Sequence, residues 1–272
     1  MGGLPDCYRC GRQPCECKDG ITLYCADNRD ILPLLEEGSV DLVFTDPPYG
    51  HTENGSLQQR REAVFGWQDG ENVYRHSNHH SALITNDGIE ANELVQWLFS
   101  QAARLLRPGC CCCCCCGGGG GPDPQFARWS LWLDKSIPFK QMVVWDKGPM
   151  GMGWHYRRSY ETVLVAQQPG AACKWFGGRA TENIIRPGDY GIRKIIPSAT
   201  QHPTEKPPRL AEHFVNIHSE RGDLVLDPFA GSGTTGRACK DLGRRCIMVE
   251  IEEKYCRIAA ERLAQGVLFT LC

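Results

Sequence analysis

Two short segments of the chain combine residue types that can act together on a substrate, and each stands at the end of an apolar run. The first is Asp46-Pro47-Pro48-Tyr49, which closes the run Val40–Asp46 and places a carboxylate, two rigid prolines and an aromatic ring side by side. This combination suits chemistry on an amino group. Because ligands of open α/β sheets bind beyond the carboxyl ends of the strands, the segment predicts a crevice at this position.

The second segment is the glycine-rich stretch Ala230–Gly236, which follows the strand-like run Leu224–Phe229 and opens a helical pattern. Its glycines allow backbone N–H groups to approach a ligand closely. The spacing also fits a dinucleotide-binding fingerprint, because Glu250 lies at a suitable distance downstream. Only 22 residues follow Glu250, however, which is too few for the second half of a dinucleotide-binding fold.

Taken together, these segments resemble the beta-group DNA amino-methyltransferases, which use S-adenosylmethionine (SAM) and carry the catalytic motif before the cofactor loop. The resemblance extends over most of the chain, and several motifs in one permuted order rarely arise by accident. The matching segments are Tyr24–Asp27 (third motif), Asp46–Tyr49 (fourth), Tyr160–Ala166 (a strand near the target base), His202–Pro207 (tenth), Asp227–Gly236 (first) and Val249–Glu250 (second).

The resemblance implies methyl transfer to an exocyclic amine of a DNA base. The lone pair of such an amine is delocalised into the ring, and in this family the Asp46 carboxylate and the Pro47 carbonyl would accept its two N–H groups. Tyr49 would stack on a base rotated out of the duplex, with Pro48 completing the catalytic loop. Aspartate at the head of the motif favours N6 of adenine, since serine often leads it in the N4-cytosine enzymes.

For the cofactor, the resemblance implies a pocket for SAM at the strand ends. Asp27 would meet the adenine amine, Glu250 the two ribose hydroxyls and Asp227 the methionine amino group, while Lys206 would lie near the methionine end. The full predicted set is Asp27, Lys206, Asp227, Phe229, Gly231, Gly233, Thr234 and Glu250.

Other functions stay open at this point. Asp-Pro-Pro-Tyr alone could be a rigid turn, and the fold could serve an inactive nucleic-acid-binding module or a methyltransferase of RNA or protein. The intact Asp46, Tyr49 and glycine stretch argue against an inactive fold. Enzymes that methylate glutamine in proteins usually carry asparagine at the position of Asp46.

Composition predicts a soluble globular protein with one substantial core, because the chain has 272 residues of which 42% are apolar and 23% charged. No apolar run approaches the roughly 20 residues of a membrane helix. The amino terminus lacks the pattern of a secretory signal, so the cytoplasm is the expected location.

The net charge of −2 is unevenly distributed. Between Trp145 and Arg209, ten Lys or Arg stand against five Asp or Glu, so this segment carries +5 and the remainder −7. Such a surface can hold DNA phosphates, although a solvated face is the alternative. Double-stranded DNA is the expected partner, and a homodimer and a cognate restriction endonuclease stay open. The predicted DNA-binding residues are Arg157, Arg158, Lys174, Arg179, Arg186, Arg193 and Lys194.

The seventeen cysteines include two distinct groups. Cys110–Cys116 are consecutive, and since neighbours on a strand alternate between faces they cannot converge on one metal. We interpret them as a buried strand in a reducing compartment. Cys7, Cys10, Cys15 and Cys17 follow a C-x2-C-x4-C-x-C pattern that could surround a tetrahedral zinc ion, with a flexible reduced tail as the alternative.

Alternating strand and helix patterns predict a Rossmann-like α/β fold, a mostly parallel seven-stranded sheet with helices on both faces. A helical pattern over Asn92–Arg107 is typical of the elements between the strands. The predicted strands are Ile21–Ala26, Val40–Asp46, Cys110–Cys116, Lys140–Trp145, Thr162–Gln167, Leu224–Phe229 and Cys246–Ile251.

The predicted domains are a Cys-rich segment at residues 1–20 and a catalytic domain at 21–272. Within the second we expect a mobile loop at 51–86 and a small target-recognition insert at 168–201. The histidines of the loop could bind metal, but without acidic or cysteine partners they are more typical of a solvated surface.

Overall fold

A computed structural model of the chain describes residues 3–49, 90–116, 125–149, 159–192 and 206–266. The loop predicted at 51–86 lies outside these ranges, as do residues 193–201 of the predicted insert and 202–205 of the tenth motif. Four of the predicted DNA-binding residues are also outside them: Arg157, Arg158, Arg193 and Lys194.

The described strands form one mixed, mostly parallel sheet in the order β1-β8-β7-β2-β3-β5-β4-β6. Neighbours from β1 to β3 are parallel, whereas β5 pairs antiparallel with both β3 and β4. The strands are β1 (Ile21–Cys25), β2 (Val40–Thr45), β3 (Leu106–Cys116), β4 (Phe139–Asp146), β5 (Tyr160–Gln167), β6 (Ile184–Ile185), β7 (Leu224–Asp227) and β8 (Arg245–Glu250).

All seven predicted strands are present, and the expected count of seven is corrected to eight. The additional β6 spans only two residues, which is too short for a periodic pattern. The helical pattern predicted over Asn92–Arg107 ends at Leu105, because Arg107 precedes Pro108 and a residue before proline is driven into extended geometry.

Helices cover both faces of the sheet. In the described ranges, none of them is long and apolar enough to cross a lipid bilayer. They are α1 (Asn28–Ile31), α2 (Glu90–Leu105), α3 (Gln125–Ser136), α4 (Pro208–His218), α5 (Thr234–Leu242) and α6 (Glu253–Ala264), with short 3-10 turns at Leu32–Leu34 and Asp189–Gly191.

The cysteine run is a central strand whose side chains are divided between two cores. Cys111, Cys113 and Cys115 pack with α4, α5 and α6 on one face, and the even-numbered cysteines pack with α2 and α3 on the other. Each of the seven is no more than 2% exposed. The predicted buried strand is confirmed, and cysteine serves here as a small apolar residue.

The connections reverse direction between β7 and β2. From β2 the chain continues to β3 on one side, whereas from β7 it continues through α5 to β8 on the other. The two strands are parallel neighbours, with Leu42 opposite Val225 and Val43 opposite Leu226. In open α/β sheets, ligands bind at such a switch point, beyond the carboxyl ends of the strands.

Candidate active site

Four adjacent parallel strands each have a carboxylate residue at or just beyond their carboxyl ends, on the same side of the sheet. Asp27 follows β1, Glu250 closes β8, Asp227 closes β7 and Asp46 directly follows β2. Adjacent strands lie about 4.8 Å apart, so these four residues, the carboxylate row, extend over roughly 14 Å. The structure thus brings together four predicted site residues that are up to 223 positions apart in sequence.

Asp46 is held by two hydrogen-bond donors. The Lys206 ammonium donates to Asp46 Oδ2 at 2.6 Å, and the Tyr49 hydroxyl donates to Oδ1. Lys206 also donates to the Tyr49 hydroxyl at 2.9 Å. The prediction placed Lys206 near the methionine end of a cofactor; in the structure its ammonium contacts the catalytic loop.

The Lys206 ammonium lies between two acids. It is 3.4 Å from Glu161 Oε2, and Lys147 donates to the other oxygen of Glu161 at 2.8 Å. Burial alone would lower the pKa of Lys206, but Asp46 and Glu161 raise it above its ordinary value. Burial raises the pKa of Asp46, with Lys206 opposing this effect. The Asp46 side chain keeps a quarter of its surface exposed, so a substrate group can reach it.

Tyr49 is positioned by α3. Its ring lies 5.9 Å from that of Trp129, centroid to centroid, and Gln125 Nε2 donates to its backbone carbonyl. Burial raises the pKa of Tyr49 well above its ordinary value, so the phenol stays protonated. Pro47 and Pro48 are buried.

Sequence reasoning missed the residues that support the catalytic loop. Glu161, Trp129 and Gln125 reach it from β5 and α3, more than 70 residues away along the chain. One signal was available for Glu161, since an acid at the start of an otherwise apolar strand must find a partner.

Asp227 is a buried acid beside the switch point. It is 3% exposed and accepts hydrogen bonds from Thr45 Oγ1 at 3.1 Å and from the Phe229 N–H at 3.2 Å. Burial raises its pKa to about 6, and the nearby Asp46 adds to this. Among the described residues, no basic side chain pairs with it. A cationic amino group would supply that missing charge, which fits the methionine end of SAM.

Glu250 and the glycine-rich turn hold each other in place. The Gly231 N–H donates to Glu250 Oε2 at 2.8 Å, and the Glu252 N–H donates to Oε1 at 2.9 Å. Burial raises the pKa of Glu250. The carboxylate is therefore fixed by backbone donors at the end of β8, with lone pairs remaining for hydroxyl donors of a ligand.

Two predicted cofactor residues contact α6. Gly233 has φ +82°, and an added Cβ would come within 2.8 Å of the Ala259 Cβ, so close helix packing requires glycine there. The Thr234 hydroxyl accepts a hydrogen bond from Arg262 at 2.8 Å. Contact of Gly233 and Thr234 with a cofactor remains a prediction.

The turn after β1 adds an acceptor that the sequence did not reveal. Asp27 caps α1 by accepting from the Arg29 N–H at 2.8 Å. Next to it, Asn28 is 6% exposed and donates to the Pro228 carbonyl at 3.1 Å. Its Oδ1 is buried and accepts no hydrogen bond from the described residues. A buried acceptor without a donor fits a ligand that supplies an N–H or O–H group.

The predicted basic residues have different surroundings. Lys174 contacts Asp41 at 3.2 Å and Asp223 at 2.9 Å, beside the amino ends of β2 and β7. That position lies at the ends of the strands opposite the carboxylate row, and the Lys174 charge is paired within the fold there; contact of Lys174 with DNA remains a prediction. Arg179 is exposed, and Arg186 is exposed and pairs with Glu182.

Comparison with known proteins identifies the family. The family model for N6 and N4 methyltransferases, described as DNA methylase, matches residues 40–261. Type II methyltransferase M2.DpnII of Streptococcus pneumoniae is 46% identical over 264 residues, covering 90% of each chain. Type II methyltransferase M2.LlaDCHI of Lactococcus lactis subsp. cremoris is 42% identical over 271 residues, covering 93% of each.

Solved structures have the same fold. M1.HpyAVI in complex with SAM aligns with a TM-score of 0.59 at 27% identity, over 89% of this chain and 99% of that one. The cytosine-N4-specific PvuII DNA methyltransferase, at 17% identity, aligns with a TM-score of 0.63 over 91% and 87%. With the carboxylate row at the switch point, these matches show that the chain belongs to the family of SAM-dependent N6 and N4 DNA amino-methyltransferases.

Proposed function

We propose that the protein methylates the N6 amine of adenine in double-stranded DNA. The observation that carries this proposal is the position of Asp46, at the switch point and next to the buried acid Asp227. An exocyclic amine offers two N–H donors, and a fixed carboxylate is the acceptor that can draw electron density back onto its nitrogen. The arrangement of Asp46, Tyr49 and Lys206 supplies that carboxylate.

Asp46 belongs to a network of charged side chains. Lys206 opposes the rise in the pKa of Asp46 that burial causes, and Glu161 and Lys147 complete a network of two acids and two cations. Each Asp46 oxygen has more than one lone pair, so it can accept an amine N–H while the Lys206 contact persists. We expect the Pro47 carbonyl to accept the second N–H and Tyr49 to stack on the extruded base.

When bound, SAM supplies the methyl group as an electrophile. Asp227 would hold its amino group, Glu250 its ribose hydroxyls, and Asp27 with Asn28 its adenine. The buried, unpaired charge of Asp227 and the unused acceptor of Asn28 support this placement. A closed pocket of this kind would also exclude water from the reacting methyl group.

Adenine is preferred over cytosine because aspartate leads the catalytic motif. Nucleosides from a DNA digest decide this by mass spectrometry after expression of the chain in a host that lacks DNA methyltransferases. The expected product is N6-methyladenine, and single-molecule sequencing of the same DNA gives its sequence context. N4-methylcytosine would replace the adenine proposal, and unmodified DNA would favour an inactive binding module.

We extend the proposal to the surface that meets DNA. Residues 168–192 of the predicted insert expose Tyr190 at 55%, together with Arg179 and Arg186. An exposed aromatic ring in a segment with exposed arginines is typical of surfaces that bind nucleic acids. This combination supports the insert as the part of the chain that recognises the target site.

The relatives set the biological context. M2.DpnII and M2.LlaDCHI are type II methyltransferases, which supports a role in restriction-modification beside a cognate endonuclease. The cysteines of the described ranges are all free thiols, which fits a reducing cytoplasm. A homodimer remains a prediction, to be checked by the mass of the protein in solution.

A further inference from the structure

Four cysteines near the amino terminus converge on one point. The Sγ atoms of Cys7, Cys10, Cys15 and Cys17 all lie within 4.8 Å of one another, and those of Cys10 and Cys15 are 3.8 Å apart. Thiolates bind Zn²⁺ at about 2.3 Å in a tetrahedron, which places neighbouring sulfurs about 3.8 Å apart. A disulfide requires about 2.05 Å. The spacing is that of ligands around an ion.

Local backbone geometry creates this convergence. The Gly11 N–H donates to the Cys7 carbonyl at 2.8 Å, and Gly11 has φ +64°, which favours glycine. This turn brings Cys10 back beside Cys7. The Cys17 N–H points to the Cys15 sulfur at 3.5 Å, a donor that stabilises a thiolate.

The cluster lies against the outer strand of the sheet. β1 is the edge strand of the described sheet, so its carbonyls on the outer side have no partner among the described strands. The Tyr8 N–H donates to the Leu23 carbonyl at 2.7 Å, and Arg9 donates to the Ile21 carbonyl at 2.8 Å. Arg9 is fixed in turn by Asp19 at 2.7 Å. Residues between the first two cysteines therefore cover the exposed edge of β1.

We propose that Cys7, Cys10, Cys15 and Cys17 bind one structural Zn²⁺ that clamps the amino-terminal segment onto β1. Four thiolates around a divalent ion leave a net charge of −2, and the guanidinium of Arg9 beside the cluster offsets part of it. Without an ion, four thiols at this spacing contribute only weak hydrogen bonds to sulfur and van der Waals contact, and Cys7 is fully buried. The ion supplies the bonds that hold this turn-rich segment together.

The zinc-bound amino-terminal segment is connected to the proposed cofactor site by β1. That strand leads directly into Asp27, and the Ala26 N–H donates to the Glu250 carbonyl at 2.9 Å. Release of the amino-terminal segment would expose the β1 edge and loosen the turn that carries Asp27. The zinc site is independent of the proposed methyl transfer, since its four ligands lie outside the carboxylate row.

The test is the metal content of the full-length protein. Elemental mass spectrometry should find about one zinc per chain in the parent and in the control Cys173→Ser, which replaces an exposed cysteine outside the cluster. The double variant Cys7→Ser/Cys10→Ser should lose the zinc and the protection of Cys15 and Cys17 from alkylation. Its melting temperature should also fall, while that of Cys173→Ser should not.

Cobalt exchange keeps the proposal testable if the double variant fails to fold. Co²⁺ bound to the parent should show thiolate charge transfer and the intense visible bands of a tetrahedral site. A parent protein that is metal-free and fully stable would overturn the proposal. So would an intact mass four hydrogens lower than that of the reduced chain, because it would show two disulfides. Zinc retained by the double variant would do so as well.

Discussion

The neighbouring strands β2 and β7 have a buried acid at each end of the pair, Asp41 at the amino ends and Asp227 at the carboxyl ends. The surroundings of these two acids differ. At the amino ends, Asp41 accepts from Arg107 at 2.9 Å and from the Leu224 N–H at 2.9 Å, with Lys174 also in contact. At the carboxyl ends, the partners of Asp227 among the described residues are the hydroxyls of Thr45 and Thr235 and the Phe229 N–H.

The pKa values differ accordingly. Burial would raise the pKa of Asp41, but the Leu224 N–H and Lys174 bring it below the ordinary value of 3.8. Burial raises that of Asp227 to about 6, and among the described residues no cation compensates. The charge of Asp41 is thus satisfied within the fold, whereas Asp227 keeps a charge that a ligand can satisfy. A buried carboxylate that its own chain leaves without a counterion is a useful sign of a binding site.

The largest effect is expected at Asp46. Asp46→Ala should reduce the rate of methyl transfer by roughly 10²-fold or more, because it removes one preorganised polar contact with the reacting amine. Affinities for SAM and DNA should stay within a few-fold of the parent, as measured by calorimetry and gel shift. Asp30→Ala, at an exposed aspartate near the same edge, is the control. A rate of methyl transfer by Asp46→Ala close to that of the parent would show that Asp46 is not a catalytic residue.

A smaller effect, on stability, is expected at Asp41. Asp41→Asn should lower the free energy of unfolding at pH 7 by about 2–3 kcal/mol, because it removes the buried acid that Arg107 and Lys174 share and leaves Lys174 with Asp223. The pKa of Asp41 is lowered in the folded state, so its contribution is present above the unfolded value of 3.8 and is lost as the pH falls through the folded value. Denaturant titrations at pH 7 and pH 3.5 should show the difference shrinking.

The rate of methyl transfer should also distinguish the amino ends of the strands from the carboxyl ends. Turnover per folded molecule should be unchanged in Asp41→Asn, because the residue lies at the amino end of β2. Glu37→Gln, at an exposed acid just before the same strand, should alter neither stability nor turnover. A large loss of turnover in folded Asp41→Asn would contradict the division between a structural edge and a functional one.

Substitution of Asp227 by Asn should change the free energy of unfolding in the direction opposite to that expected for Asp41→Asn. Its folded pKa, about 6, exceeds 3.8, so the folded state binds the proton more tightly and loses stability as the pH rises between these values. Asp227→Asn should therefore raise the free energy of unfolding by about 1–3 kcal/mol at pH 7 and leave it nearly unchanged at pH 4. The same substitution should weaken SAM binding. Destabilisation at pH 7 would show that the fold itself needs the charge.

Much of this arrangement follows from local sequence. Apolar runs predict seven strands, and the resemblance to the DNA amino-methyltransferases predicts the site residues Asp27, Asp46, Asp227 and Glu250, which lie at the ends of four of these strands. The contact between Glu161 and Lys206 does not follow, since it depends on how β5 pairs in the sheet.

Charge counting did not reveal the ion pairs of Lys174 for a related physical reason. A sum over a segment reveals an excess of cations but not which of them meet buried acids. Asp41 and Asp223 are far from Lys174 in sequence, and only strand packing brings them into contact with it.

The smallest effect concerns DNA, where Lys174 and Arg179 should differ. Arg179 is exposed, so Arg179→Ala should weaken DNA binding and reduce the slope of log affinity against log salt by about 0.9, the value for one phosphate contact. Lys174→Ala should leave that slope unchanged while lowering stability, since its charge is already neutralised by Asp41 and Asp223. Fluorescence anisotropy with a short duplex at several salt concentrations measures both. An equal reduction of the salt slope in the two variants would indicate that DNA phosphates also bind at the amino ends of the strands. The distinction between the amino and carboxyl ends would then not hold for DNA binding.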